Sequence, residues 1–241
     1  RHKMRILETL GVEGCVLLPF DRDTAETPPT EFLLRIHGLL PVDCMVVGHN
    51  WRFGHKQAGD VDLLQRVGAR RQFRVEVVPP VMEGGRPVSS TRVREAVQAA
   101  DLDQAAALLG RRFGLLGTVV HGRHIGRQLG FPTANLQPDN QVRPPAGIYA
   151  GRVSHPQVSG CAAVYIGRRP SFSDVSAEDV VEVHLLDCEA DLYGCEIELS
   201  FLERVRDDRR FDDRRALQNQ IRGDLRAVRA ICAQERSAQG L

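Results

Sequence analysis

The chain has 241 residues, with 32 basic and 31 acidic side chains and a formal net charge of +1. Apolar residues at 42% and charged residues at 26% describe a globular protein, long enough for one large domain or two small ones. The balanced charge argues against nucleic acid or an anionic lipid surface as a partner, and no apolar run approaches the ~20 residues of a membrane-spanning helix. The six cysteines, Cys15, Cys44, Cys161, Cys188, Cys195 and Cys232, form no C-x-x-C pair and show no metal-ligand spacing. Reduced thiols in a cytoplasmic protein are the expectation, not disulfides or structural zinc.

The opening residues, Arg1 to Glu8, read as an amphipathic helix and not as a signal peptide. Cys15 to Phe20 reads as a buried strand, Thr30 to Leu40 carries a helical apolar stripe, and Cys44 to Gly48 is a second short apolar run. Asp60 to Val67 is helical in pattern, and Phe73 to Val78 alternates as a strand does. Strand, helix, strand, helix, strand predicts an α/β unit with a parallel sheet. Ser89, Ser90 and Thr91 precede a helix over Arg92 to Ala100 and offer side chains to cap it. Asp101 with Gln104 resembles a capping box for a further helix ending near Gly110.

From Arg111 the pattern changes. Leu115 to Val120, Ile148 to Val153, Cys161 to Ile166, Val180 to Leu186 and Ile197 to Leu202 read as strands separated by turn signals. Five or six strands in so short a stretch predict a small antiparallel barrel or sandwich. Leu217, Ile221, Leu225, Val228 and Cys232 then mark one face of a C-terminal helix. The domain division is expected at 1–108 and 109–241.

The chemistry is concentrated in Val120 to Asn135. Gly122, Gly126 and Gly130 alternate with Arg123 and Arg127, which is a loop able to bring backbone N–H groups and guanidinium charge to phosphate oxygens. A glycine-rich hairpin with solvated arginines fits the same residues. Thr133 and Asn135 supply two hard oxygen ligands suited to Mg²⁺, or alternatively a Thr/Asn turn. In the run Val180 to Asp187, Glu182 and His184 share one strand face with Leu186, opposite Val181, Val183 and Leu185. A carboxylate there could deprotonate an alcohol. The pattern alone also fits a solvated Glu182, and His184 reads as a packing or hydrogen-bonding residue before it reads as a catalyst.

Gly126-Arg127-Gln128-Leu129-Gly130-Phe131-Pro132-Thr133-Ala134-Asn135 resembles the signature of riboflavin kinases. Gly147 to Ala150, Ile166 to Phe172, Glu182 to Asp187, Asp191 to Gly194, and the tail from Val205 to Asp224 follow in that family's order. Tyr165 stands where the family usually has Asn, and Ser171 where Thr is frequent. Val46 to Gly54, Ala58 to Val61 and Val88 to Arg94 resemble the other half of the bifunctional riboflavin kinase/FMN adenylyltransferase family, with Trp51 in place of a Phe.

The resemblance implies a partial α/β nucleotidyltransferase-like, Rossmann-like domain followed by an all-β riboflavin kinase barrel with a C-terminal helix. It implies MgATP-dependent conversion of riboflavin to FMN. The loop with Gly122, Arg123, Gly126, Arg127 and Gly130 would cover ATP phosphates, and Thr133 and Asn135 would hold Mg²⁺ and phosphate. Glu182 would take the proton of the attacking hydroxyl, and Arg206 and Phe211 would lie near the flavin. Gly48, Asn50, Ser90, Thr91 and Arg92 would serve the adenylyltransferase nucleotide site, the last three as an anion site at a helix N-terminus.

The family's H-x-G-H motif, which stabilises nucleotide phosphates during adenylyl transfer, is absent from these 241 residues. Arg1 to Val12 resembles a helix that lies well inside that domain. Impaired conversion of FMN to FAD is therefore expected. A flavin- or nucleotide-binding module without catalysis is the alternative function, and the sequence leaves the oligomeric state open.

Overall fold

The structure, a computed structural model, describes residues 1–39, 41–122, 126, 129–168, 179–188 and 190–238. Two compact units form, one of residues Val12–Val88 and one of Arg1–Gly11 together with Ser89–Leu241. Helix α1 (His2–Thr9) therefore belongs with the C-terminal unit. There Arg5 pairs with Glu196 at 2.8 Å, and the buried His2 ring contacts the Asn140 amide at 3.1 Å.

The unit Val12–Val88 contains α2 (Arg22–Glu26), α3 (Pro29–Leu39), β1 (Cys44–Gly48), α4 (Val61–Arg71) and β2 (Arg74–Val78), then a short hairpin of β3 (Met82–Glu83) and β4 (Arg86–Pro87). Strands β1 and β2 pair in parallel, Cys44 opposite Arg74 and Gly48 opposite Val78. Parallel neighbours need a crossover, and α4 provides it. Asp60 caps α4 by accepting the Leu63 N–H at 2.9 Å. The buried face of α4, Leu64 and Val67, joins Leu33, Phe53 and Phe73 in one cluster. Each such side chain contributes roughly 1.5–3 kcal/mol by leaving water.

The expected strand at Cys15 to Phe20 does not form. Val16, Leu17 and Phe20 are 57%, 77% and 86% exposed. An apolar run becomes a buried strand only where a neighbouring edge takes its backbone hydrogen bonds, and the sheet here stops at two strands.

In the other unit, α5 (Ser90–Gln98) begins two residues earlier than its apolar pattern suggests, because Ser89 accepts the Arg92 N–H and starts the helix. Helix α6 (Leu102–Leu109) is capped by Asp101, which accepts the Gln104 N–H at 3.0 Å, and ends at Gly110 in the left-handed region. The reciprocal half of a capping box is replaced, since the Asp101 N–H donates instead to Ala96 O.

Six strands close a barrel: β5 (Gly114–Val120), β6 (Ala134–Pro138), β7 (Gly147–His155), β8 (Val158–Arg168), β9 (Asp179–Leu185) and β10 (Glu196–Asp207). Their order around the barrel is β10-β5-β6-β9-β8-β7, and every pairing is antiparallel. Strand β10 is twelve residues long and pairs with both β5 and β7, which removes the last free edge. Its register against β7 slips between Phe201 and Glu203 and again between Arg204 and Arg206. Such bulges bend a strand and re-aim its side chains.

The alternation expected for Val180 to Leu186 holds from Val181 to His184 and then breaks, with Leu185 half-buried. Val181 and Val183 are 1% exposed, whereas Glu182 and His184 are half-buried on the opposite face. Leu186 lies in the turn after β9 and is buried. Helix α7 (Arg214–Ala238) packs Val228 and Cys232 against Ala150, Cys161, Leu186 and Leu202 on the outside of the barrel. Among the described residues no helix is long and apolar enough to cross a membrane.

Candidate active site

A cavity of about 380 Å³ opens where α7 lies beside β7, β8 and β9 and the end of β10. One wall carries Thr133, Glu182 and His184, with Gly126 and Phe131 beside them. A second wall carries Arg206, Phe211 and Asp224, and Tyr165 and Asp208 also line the cavity.

Strand register sets the first wall. Asn135 on β6 stands opposite Glu182 on β9, and Glu182 in turn stands opposite Tyr165 on β8. Paired residues of antiparallel strands project to the same side. Thr133, one residue before β6, donates its hydroxyl to Glu182 Oε2 at 3.2 Å. His184 Nδ1 lies 2.7 Å from Pro132 O, and the Phe131 ring meets the imidazole edge-on. His184 thus holds the segment that delivers Thr133, the hydrogen-bonding role its pattern suggested.

The glycines of the loop have steric reasons. A Cβ on Gly122 would fall 2.0 Å from Asn135 Nδ2, and Asn135 is only 8% exposed. A Cβ on Gly126 would fall 2.4 Å from Phe131 O and 2.9 Å from Thr133 Oγ1. The bare backbone at 122 and at 126 therefore lies against the two residues expected to hold metal and phosphate, Asn135 and Thr133. Gly130 sits in the following turn with φ 89°. Arg123 and Arg127, the two expected phosphate-binding cations of this loop, lie outside the described residues.

The second wall is organised by a buried carboxylate. Asp224 is 5% exposed and accepts three contacts from the Arg206 guanidinium, at 2.8, 3.0 and 3.1 Å. Gln220 Nε2 donates to Asp224 Oδ1 at 2.7 Å. Two positive groups flank Phe211, with Arg206 5.7 Å and Arg209 4.9 Å from its ring centre. Arg209 also donates to Gln220. A fixed guanidinium and an aromatic ring beside the apolar Leu217, Ile221 and Leu225 suit a flat, polar-edged ring system.

The Tyr165 hydroxyl donates to Asp208 at 3.2 Å. Burial first, and then the Asp208 carboxylate, push its pKa up to about 12. At neutral pH it is a neutral donor.

Thr133, Asn135 and Glu182 offer only oxygen donors, the chemistry that Mg²⁺ prefers. No cluster of three or more His, Cys, Asp or Glu suited to a metal occurs among the described residues. The donor set therefore fits an ion that takes few protein ligands and fills its shell with water and substrate phosphate.

The structure brings Gly126, Thr133, Glu182, Arg206 and Phe211 into one cavity, with Asn135 beside it on the neighbouring strand. The remaining candidates divide between units. Gly48 ends β1 and Asn50 follows in an exposed turn, both in the unit Val12–Val88. Ser90, Thr91 and Arg92 form the first turn of α5 in the other unit. Because Ser89 does the capping, the Ser90 and Thr91 side chains remain exposed. Trp51 stacks on Phe53 at 4.3 Å and packs against the Leu33–Phe73 cluster.

Asp224 received no role from the sequence, although a signal was there. It falls on the helix face of Leu217, Ile221 and Val228, and a carboxylate on an apolar stripe needs a buried cation. Tyr165 stood out only as a departure from the family pattern, and its bond to Asp208 crosses 43 positions of sequence.

Two family models match the chain, FAD synthetase over residues 1–92 and riboflavin kinase over residues 109–232. A bifunctional riboflavin kinase/FMN adenylyltransferase of Pseudomonas fluorescens is 38% identical over 225 residues, covering 92% of this chain and 72% of that one. One from Escherichia coli K12 is 38% identical over 230 residues, covering 93% and 72%. A crystal structure from Streptococcus pneumoniae described as a macrolide-efflux protein matches with a TM-score of 0.82 and 30% identity, over 95% of this chain and 73% of that one. With its barrel, its C-terminal helix and both family models in order along the sequence, the chain belongs to the bifunctional riboflavin kinase/FMN adenylyltransferase family.

Proposed function

We propose that the region 109–241 carries out the family's ATP-dependent phosphorylation of riboflavin with Glu182 as general base and Mg²⁺ held at Thr133 and Asn135. The meeting of Thr133 and Glu182 at 3.2 Å, in a cavity that Arg206 and Phe211 also line, carries this reading. Arg206 and Phe211 hold the flavin ring, so its ribityl chain runs toward Glu182. The 5′-hydroxyl oxygen attacks the γ-phosphorus of ATP as its proton passes to a Glu182 oxygen. The bond from the γ-phosphorus to the β,γ-bridging oxygen breaks, and ADP leaves with that oxygen.

Mg²⁺, when bound, neutralises charge developing on the phosphate oxygens. Thr133 steers Glu182 and supplies a hard oxygen. Gly122 and Gly126 allow the loop, with Arg123 and Arg127, to cover the phosphates. Most of the acceleration comes from positioning and charge neutralisation. Glu182→Gln keeps the side-chain shape and removes the proton acceptor. FMN formation should collapse in this variant while riboflavin still binds; normal FMN formation would refute the base.

The region 1–108 is proposed as the adenylyltransferase part, with Gly48, Asn50, Ser90, Thr91 and Arg92 toward its nucleotide. These 241 residues contain no H-x-G-H, and low FAD synthesis is proposed for them on that ground. The cytoplasm, which supplies ATP and keeps thiols reduced, is the proposed compartment, in keeping with six free cysteines.

A further inference from the structure

A second cavity, of about 500 Å³, lies on the C-terminal unit away from the residues assigned above. Its walls include three guanidiniums, those of Arg152, Arg229 and Arg236, and three thiols, those of Cys161, Cys188 and Cys232. Arg229, Cys232 and Arg236 follow one another at i, i+3 and i+7 on α7; Cys232 is 1% exposed and packs on the barrel, and the two arginines beside it are exposed. Arg152 on β7 stands opposite Cys161 on β8 and projects from the same side of the sheet.

Among the described residues, the charges that line this cavity do not balance. Asp187 is the one carboxylate there; Arg229 engages it with both guanidinium nitrogens, and Arg236 acts on it electrostatically. Neither Arg152 nor Arg236 forms an ion pair among the described residues, although both act on Cys232. The thiol does not answer them, because burial and the adjoining Cys161 push the Cys232 pKa up to about 12 and keep it neutral. Among the described residues, three guanidiniums thus share a concave surface with a single carboxylate. The floor between them, Cys161, Leu186 and Cys232, is apolar.

We propose that this cavity is a second anion site on the kinase unit, taking a phosphate-bearing small molecule whose phosphate oxygens are held by Arg152 and Arg236. The planar guanidinium fork matches phosphate oxygens in pairs, which a lysine cluster would not do. The phosphate can come from a nucleotide, whose base would cover the apolar floor, or from free phosphate.

Cys188 lines the cavity and is half-buried, so its alkylation reports occupancy. The full chain is treated with iodoacetamide at fixed ionic strength in chloride, inorganic phosphate or ADP, and each cysteine is followed by peptide mass spectrometry. Phosphate or ADP should slow Cys188 at least threefold and leave the exposed Cys15 unchanged. The double variant Arg152→Gln, Arg236→Gln should lose this protection and keep its riboflavin kinase rate. Equal protection by phosphate and ADP supports a free-phosphate occupant, and protection by ADP alone supports a nucleotide. Absence of protection in the natural sequence, or undiminished protection in the double variant, overturns the site and leaves Arg236 as a cation complementing the end of α7.

Discussion

The Thr133 hydroxyl donates to the Glu182 carboxylate across 49 positions of sequence, at 3.2 Å. That bond joins the residue expected to ligate the metal to the residue expected to take the proton. It also leaves one oxygen of Glu182 free of Thr133. Glu182→Gln should therefore lower kcat by ~10²–10⁴, the usual contribution of a general base, with little change in the KM for riboflavin. Steady-state FMN formation checks this, and a near-normal kcat would remove Glu182 from the chemistry.

Thr133→Val keeps the branched shape and removes the oxygen. The Mg²⁺ concentration for half-maximal rate should rise by at least about tenfold, the scale on which loss of even an indirect metal contact acts. Titrating activity with Mg²⁺ at fixed ATP measures it. An unchanged requirement would contradict a Thr133 ligand.

The buried pair of Arg206 and Asp224 yields a stability test. Asp224→Ala leaves a largely buried guanidinium without its partner and should cost about 3–5 kcal/mol of unfolding free energy. Replacing both members, Arg206→Met with Asp224→Leu, should recover most of that loss, since paired removal strands no charge. Flavin affinity should not recover with stability in the double variant, because it has no Arg206 guanidinium over Phe211. Chemical denaturation with riboflavin titration separates the two effects.

Tyr165 has a folded-state pKa of about 12 against an ordinary value of 10.0. A raised phenol pKa stabilises the fold fully below pH ~10 and loses that stabilisation as pH rises through about 12. The stability difference between the natural sequence and Tyr165→Phe should therefore be flat at neutral pH and shrink above pH ~10. Ultraviolet titration of the phenolate should show one late-ionising tyrosine fewer in the variant. A difference that is constant up to pH 12 would contradict the raised pKa of the Tyr165 phenol.

Much of this molecule is legible in its residues where local chemistry decides the outcome. The period-two run around Glu182 places Val181 and Val183 in the core and Glu182 outside it, and the stripe from Leu217 to Cys232 identifies the helix against the barrel. Asp60, Ser89 and Asp101 each cap the helix they precede. The failures arise where a distant partner decides. Cys15 to Phe20 has a strand's composition but no neighbouring strand edge, so it stays irregular and exposed. Strand β6 hides within a stretch rich in turn formers, and it becomes a strand because β5 and β9 flank it.

The site divides in the same way. The glycine-rich segment with Thr133 and Asn135 can be read directly, because close backbone approach and hard oxygen ligands restrict residue type. The roles of Asp224 and Tyr165 cannot, because each depends on a partner brought in by the barrel's closure.

The decisive experiment incubates the purified chain with riboflavin, ATP and Mg²⁺ and separates the flavins by chromatography. FMN should accumulate with little FAD, the kinase working at the Thr133–Glu182 cavity while adenylyl transfer lacks its H-x-G-H motif. No FMN at all would contradict the kinase assignment, and abundant FAD would contradict the reading of the region 1–108.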